Sequence, residues 1–126
     1  MQSPLAKVLG HGSAQQGTGH WWGQRLTAIA LVPLTLWFAV AIMGSMPQGN
    51  WHDLSAWVAE PVHAILLILL VLTMVQHSNL GLQVVVEDYV HGATVVVVLI
   101  AVKFAHVALA VAGVYAVIVI SVGAGR

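Results

Sequence analysis

The polar residues from His77 to His91 are the part of this sequence best suited to chemistry, because they interrupt a strongly apolar region. The segment reads HSNLGLQVVVEDYVH and follows the apolar run AILLILLVLTMVQ. Histidine is the commonest metal ligand in proteins, and it also ligates haem iron. On a helix, Gly81 and Asp88 share a face with His77, since they follow it by about one and about three turns. Tyr89 lies beside that face.

This spacing would let one helix carry two functional groups at different depths. His77 and Tyr89 would lie about 18 Å apart along the helix axis. A histidine near the bare surface of Gly81 could ligate a flat macrocycle, and a phenol with a carboxylate could hold and protonate a quinone carbonyl. The same residues also fit a hydrogen bond between helices and an interfacial belt at the helix end. Spacing alone leaves both interpretations open.

Other polar residues lie at the edge of the apolar runs or inside them. Arg25 precedes the first run, in HWWGQRLTAIAL, where it could anchor the helix end or bind an anionic group such as a propionate. Lys103 and His106 lie in the third run, and Lys103 is about 14 Å into a helix that begins at Thr94. A lysine at that depth must face protein, a propionate or water.

The remaining histidines differ in their suitability as deep ligands. His106 is the main competitor of His77, because it also lies well inside an apolar run. His63 lies near the opposite end of the second run, far from Tyr89. Three further histidines are predicted to lie in solvated loops: His11, His20 and His52.

Composition places these residues in a membrane protein. The chain has 126 residues, is 60% hydrophobic and 6% charged, and has a mean hydropathy of +0.93. Soluble domains carry about 25% charged residues. The formal net charge of +0 offers no basic surface for nucleic acid. The absence of cysteine excludes a thiolate iron–sulfur site and a disulfide framework.

Three long apolar runs predict an all-α integral membrane protein. Each run is long enough to cross a hydrocarbon layer of about 30 Å. We predict transmembrane helices at residues 25–46, 61–89 and 94–122. The connection at 47–60 could include a short interfacial helix, with tryptophans at headgroup level. Residues 90–93 form a short loop.

The few charges predict the orientation of the chain. Lys7 and Arg25 precede the first span, whereas residues 47–60 contain Asp53 and Glu60 but no lysine or arginine. The positive-inside rule then places the N-terminal segment 1–24 and the loop 90–93 in the cytoplasm. The loop 47–60 and the tail 123–126 would lie in the periplasm. Residues 1–24 lack a signal-peptide pattern, so we expect the chain to start as written, which favours a bacterial source.

Two motifs in this chain resemble the smaller hydrophobic membrane-anchor subunit of bacterial succinate dehydrogenase, complex II. The family pattern has an arginine before a threonine–alanine helix start, and later a histidine, three residues, a glycine and an aspartate–tyrosine pair. This chain matches it with Arg25, Thr27, Ala28, His77, Gly81, Asp88 and Tyr89. The length and the number of spans match as well, so the resemblance covers essentially the whole chain.

The resemblance implies a shared haem and a quinone site. The chain would pack with a second three-helix, cytochrome b-type anchor subunit around one haem b, to which each subunit gives one axial histidine. His77 corresponds to the ligand in this subunit, Gly81 to packing beside the haem, and Arg25 to an arginine near the propionates and the quinone pocket. Tyr89 corresponds to the tyrosine that hydrogen-bonds ubiquinone, and Asp88 to the supporting acid.

The resemblance also implies the rest of a respiratory complex. An iron–sulfur subunit would dock on the two anchors and carry a flavoprotein subunit, in a bacterial inner membrane. Electrons would pass from succinate through flavin and iron–sulfur clusters to ubiquinone, with no activity expected from this chain alone. This sequence departs from the pattern at His91, where relatives often have lysine, and at Lys103, which lies outside the pattern.

Two other functions remain open from the sequence. The chain could be the anchor of a fumarate reductase or another membrane b-type cytochrome, and a second deep ligand histidine would favour a di-haem protein. It could also be a non-redox scaffold or transporter subunit. That alternative predicts a purified complex without a visible spectrum.

Overall fold

The computed structural model describes residues 12–45 and 49–123, and nearly all of these residues are helical. The helices are α1 (Gly12–Ser45), α2 (Trp51–Ala59), α3 (Pro61–Tyr89) and α4 (Thr94–Gly123). The predicted all-α fold is confirmed for these residues. The predicted packing around a haem with a second subunit stays a prediction.

Three of the helices are long and apolar enough to cross a membrane. The candidate spans are Thr18–Ser45, Pro61–Tyr89 and Thr94–Gly123, with 28, 29 and 30 residues. At 1.5 Å per residue, each exceeds a hydrocarbon thickness of about 30 Å. Pro33 lies inside α1 without ending it, as membrane helices allow. The predicted number of spans is confirmed.

The first helix begins at Gly12, far before the apolar run that starts after Arg25. His20 is therefore helical and half-buried, so the prediction of a solvated loop was wrong for this residue. The glycine-rich composition suggested a loop because glycine is a poor helix former. Helix α1 packs against α3 from Gly23 onward, where Gly23 lies against Leu80. His11 lies outside the described residues.

The connection between the first two spans contains the predicted short helix, α2. Asn50 caps it, because its side chain accepts a hydrogen bond of 2.8 Å from the backbone N–H of Asp53. Trp57 and Val58 of α2 pack with Val117 of α4 in the largest buried cluster of the described residues. His52 is exposed as predicted, but it lies in this helix and not in a loop.

Helix α3 is the centre of the fold and contacts all three other helices. Small residues allow its neighbours to come close. A Cβ on Gly113 of α4 would lie 2.7 Å from Val71 Cγ1, and a Cβ on Gly23 of α1 would lie 3.0 Å from Leu80 Cδ1. Glycine at these contacts is typical of membrane helix packing. The contact at Gly23 brings α1 close enough for its polar residues to meet those of α3.

Most large apolar side chains face away from the bundle. Examples on the spans are Val40, Met43, Val97 and Phe104, all of them more than half exposed. Such a large apolar surface requires lipid or other membrane helices as its surroundings.

The orientation of the spans can be tested with single cysteines, since the chain has none of its own. His91 follows α3, and His52 lies in α2 before α3, so the two residues are at opposite ends of this span; both are exposed. We expect a membrane-impermeant maleimide to label His91→Cys from the cytoplasmic side and His52→Cys from the periplasmic side. The reverse pattern would invert the predicted topology. Asn50 is avoided because its side chain caps α2.

Candidate functional site

The side chain of His77 is held by Thr27, across the contact between α3 and α1. The distance from Thr27 Oγ1 to His77 Nδ1 is 2.9 Å. The same hydroxyl lies 2.7 Å from the carbonyl of Gly23 and 3.1 Å from that of Gln24, and both carbonyls can only accept. A hydroxyl has a single hydrogen, so Thr27 donates to the backbone and accepts from His77 Nδ1. This network assigns the imidazole proton to Nδ1 and leaves the lone pair of Nε2 available.

His77 lies in an open groove of about 480 Å³ between α1 and α3. The groove is lined by His20, Trp21, Gln24, Arg25, Ala28, His77 and Val84. Its length along α3, from His77 to Val84, is about 10 Å. Its volume falls within the range of about 300–1,000 Å³ that is common for small-molecule and cofactor sites.

Two buried polar atoms on α1 near this groove have no hydrogen-bond partner. They are His20 Nε2 and Gln24 Oε1. Buried polar atoms are almost always paired, so unpaired ones indicate a missing group. Arg25 also lines the groove, and its guanidinium carbon lies 5.1 Å from the centre of the Trp21 ring. The groove thus combines two free imidazole nitrogens, one on His20 and one on His77, with an unpaired amide oxygen and a cation.

Gly81 lies next to this groove but does not line it. A Cβ on Gly81 would lie 3.5 Å from Gln24 Nε2, an ordinary contact. Within this chain the position therefore has room for a methyl group. The predicted role of Gly81 beside a haem stays a prediction.

Asp88 and Tyr89 lie apart from the groove, in the last turn of α3. Both are exposed, and the Tyr89 side chain is 80% exposed. Neither side chain makes a hydrogen bond or ion pair with another described residue, and neither residue lines the groove at His77. The two residues face outward from this chain, where only another molecule can complete a binding site.

His106, the competing deep ligand, is already fully engaged. It is only 7% exposed. Its Nδ1 donates to the carbonyl of Val102 at 2.8 Å, so its Nε2 accepts from the hydroxyl of Ser78 at 3.0 Å. Both nitrogens are used inside the chain, and His106 is a structural link between α3 and α4.

His63 belongs to the opposite end of the bundle. Its ring stacks on Trp57 at 4.4 Å between centres, and its Nδ1 donates to the carbonyl of Trp57 at 2.8 Å. Trp57 stacks in turn on Trp37. Among the described residues no group of three or more His, Asp or Glu side chains could hold a metal ion. His20 and His77 both line the groove, and His77 is the candidate ligand because the hydrogen bond to Thr27 orients its ring.

The sequence predicted His77 and Arg25 in this groove but missed His20 and Gln24. Thr27 was recognised only as part of a motif, without a role. His20, Gln24 and Thr27 follow one another at intervals of four and three residues, which places them on one face of a helix. That signal was present in the sequence, but it is visible only if residues before Arg25 are taken as helical.

Comparison with known proteins identifies the family. The profile of the succinate dehydrogenase/fumarate reductase transmembrane subunit family matches residues 1–120. The chain belongs to this family. It is 34% identical over 90 residues to the succinate dehydrogenase hydrophobic membrane anchor subunit of Rickettsia bellii (strain RML369-C), covering 71% of this chain and 70% of that protein.

Two further relatives agree with this membership. The succinate dehydrogenase hydrophobic membrane anchor subunit of Paracoccus denitrificans is 29% identical over 92 residues, covering 73% of this chain and 70% of that protein. The succinate dehydrogenase membrane anchor subunit of Reclinomonas americana is 27% identical over 88 residues, covering 68% and 73%. No solved structure matches the chain.

Family membership confirms the resemblance read from the two motifs. The chain is a multi-pass membrane-anchor subunit of a succinate dehydrogenase or fumarate reductase complex. This result favours the redox functions over a transporter or a scaffold unrelated to respiration.

Proposed function

We propose that this chain helps bind one haem b and the ubiquinone of a succinate:ubiquinone oxidoreductase. The observation that carries the proposal is the bonding of His77, whose Nδ1–H is held by Thr27 while Nε2 is free in the groove. Ligating histidines usually donate their other ring N–H to a fixed acceptor, which sets the tautomer and the ring orientation. His77 has this arrangement without any ligand present.

The residues around His77 fit a haem. His77 Nε2 would ligate the iron, and Arg25 and His20 would bind the propionates, for which charged and N–H donors are suited. The unpaired Nε2 of His20 is consistent with an anionic acceptor in the groove. A bound haem would supply one-electron redox chemistry. His77 would hold it in place, and Gly81 would pack beside it.

The second axial ligand would come from another subunit. His106 has no free ring nitrogen, and His63 lies at the opposite end of the bundle. The proposed haem would take one ligand from this chain and would lie at an interface with a second anchor subunit. The large exposed apolar surface of the three spans fits such a partner.

The quinone site would also be completed by other subunits. The Tyr89 phenol would donate to a ubiquinone carbonyl, and the Asp88 carboxylate would support proton transfer to it. Both side chains are exposed at the end of α3, where an iron–sulfur subunit could cover them. That subunit, with a flavoprotein, would deliver electrons from succinate at the cytoplasmic face of a bacterial inner membrane. His91, two residues beyond Tyr89, is exposed and has no assigned role.

The family also includes fumarate reductase anchors. The relatives described above are all named for succinate dehydrogenase, which favours succinate oxidation. The ratio of succinate oxidation to fumarate reduction by the purified complex, measured with matched quinone and quinol, decides between the two directions.

The role of Thr27 can be tested by Thr27→Val, which removes the hydroxyl but keeps the shape of the side chain. His77 Nδ1–H then loses its acceptor, so the ring is less well oriented and is a weaker donor to iron. We expect haem affinity to fall by about 10–100-fold and the midpoint potential to rise. Haem content and a redox titration of the complex measure both effects.

Thr27→Ser is the matched control, because it keeps the hydroxyl. We expect it to retain the haem content and the potential of the wild type. If Thr27→Val and Thr27→Ser have the same spectrum and potential, the contact with His77 does not act on a haem.

A further inference from the structure

Lys103 is a charged residue inside the third span, and the proposed haem and quinone sites give it no role. It is the tenth residue of the 30-residue helix α4, which places it about 14 Å from the start of the helix. Its ammonium group makes no hydrogen bond or ion pair with any residue that the structure describes. Ionisable residues at such a depth face a partner or a cavity and usually have a functional reason.

The groove beside Lys103 contains a second unpaired polar group. The groove lies between α3 and α4 and is lined by Leu72, Val75, Gln76, Asn79, Lys103, His106, Val107 and Ala110. Asn79 is only 6% exposed, and its amide makes no hydrogen bond within the described part of the chain. The amide atoms themselves are not fully enclosed, so they open onto the groove, where an unpaired amide favours a binding partner. Asn79 and Lys103 thus present donors to the same small space.

The groove is built to hold a side chain and not a cofactor. Its volume is about 160 Å³, well below the range of about 300 Å³ and above that is typical of small-molecule sites. His106 forms one wall, and its two hydrogen bonds to Ser78 and Val102 hold α3 and α4 in position around the groove. The two helices that carry the donors are therefore held together by contacts within the chain.

No acidic side chain of this chain lies at the depth of the groove. The chain's only acidic residues are Asp53, Glu60, Glu87 and Asp88. On α3, Glu87 lies eight residues beyond Asn79, about 12 Å along the axis, and it accepts a hydrogen bond from Gln83. A second copy of the chain would bring another lysine and no carboxylate to this depth.

A lipid phosphate would satisfy Lys103 but not Asn79. Helix α4 is about 45 Å long and extends beyond a hydrocarbon layer of about 30 Å at both ends, so the lysine stem can reach the headgroup level. Asn79 has a shorter side chain and is buried. An acceptor within the membrane satisfies both groups, whereas one at the surface leaves the amide unpaired.

We propose that Lys103 and Asn79 form a receptor for one carboxylate on a transmembrane helix of another subunit of the complex. The ammonium supplies the charge, and the amide N–H groups supply further donors to the carboxylate oxygens. The contact would fix the depth and the rotation of the partner helix against α3 and α4. This inference needs the membership of the chain in a multi-subunit complex, and it is independent of the haem and the quinone.

The test uses the intact complex, purified in mild detergent through a tag on a different subunit. Lys103→Met keeps a long side chain but leaves the partner's carboxylate buried without a counter-ion, which is strongly destabilising. We expect the Tm of the complex to fall by about 5 °C or more, with loss of this chain from the complex on longer detergent exposure. Lys103→Arg should keep both properties, because it keeps the charge.

Phe104→Met is the matched control. Phe104 is the next residue of α4, it is 70% exposed, and it does not line this groove. Asn79→Asp provides a second, independent variant, because it places a carboxylate beside Lys103 within the chain. That carboxylate should pair with Lys103 and repel the partner's carboxylate, so we expect a lower Tm than in the wild type.

Two results would overturn the proposal. If the Lys103→Met complex is as stable as the Phe104→Met complex, then Lys103 has no buried counter-ion and extends to the lipid surface. If Asn79→Asp raises the Tm, then no partner carboxylate competes for Lys103. The readouts are the Tm and the subunit content, so an error in the haem or quinone assignment leaves the result unchanged.

Discussion

Replacing His77 by alanine is expected to abolish the low-spin haem signal in the reduced-minus-oxidised spectrum of the purified complex. The imidazole is the proposed axial ligand, and its Nε2 is free because Nδ1 is bonded to Thr27. Alanine offers no replacement ligand, so the iron would be five-coordinate or the haem would be lost. The ratio of haem to stained subunit protein in the same sample distinguishes a retained, five-coordinate haem from a lost one.

The His77→Ala variant has a matched control and a rescue experiment. His106→Gln also removes a buried histidine of the spans, but that histidine already uses both nitrogens within the chain. We expect it to keep the haem signal. The groove at His77 is open, so added imidazole should restore a low-spin spectrum to His77→Ala. A normal spectrum in His77→Ala would exclude it as the ligand.

The membrane spans were the easiest part of the fold to predict from the sequence. A run of apolar residues in lipid must satisfy its own backbone hydrogen bonds, and a helix is the simple solution. This reasoning does not depend on helix propensity. The valine-rich run of α4 was therefore correctly predicted as a helix, although valine is a poor helix former in water. The same reasoning did not extend to the residues before Arg25, where the chain is polar and glycine-rich but still helical.

The sequence predicted the parts of the candidate site whose residues lie on the same helix. The common face of His77 and Gly81 follows from spacing, since both lie on α3. The bond from His77 to Thr27 joins residues fifty positions apart, and no local pattern indicates it. The engagement of His106 by Ser78 also depends on the packing of two helices. The sequence therefore left His77 and His106 as competitors, and tertiary contacts distinguished them.

Neither the sequence nor the fold of this chain defines what surrounds the side chains of Asp88 and Tyr89. Both residues are exposed at the end of α3, so the shape of any quinone pocket depends on subunits that cover them. The Tyr89 hydroxyl makes no hydrogen bond with any described residue. It is therefore free to donate a hydrogen bond to a quinone, and its removal should change the kinetics of quinone reduction.

Tyr89→Phe is expected to lower ubiquinone reduction by succinate about tenfold, which corresponds to the loss of one hydrogen bond of about 1.4 kcal/mol. The phenol would donate to the quinone carbonyl as electrons and protons arrive there, so its loss should act on kcat as well as on KM. Succinate oxidation with an artificial dye that accepts electrons before the quinone should stay at the wild-type rate. The two assays on one preparation separate the quinone step from the succinate chemistry.

Tyr115→Phe is the matched control for this substitution. Tyr115 is the chain's second tyrosine, it is 68% exposed, and it lies on α4, well beyond the level of Lys103 and away from the α3 end that carries Tyr89. It loses the same hydroxyl but has no proposed role, so both assays should be unchanged. An equal loss of quinone and dye reduction in Tyr89→Phe would point to a structural role for the tyrosine in assembly. Unchanged quinone reduction would remove Tyr89 from the quinone site.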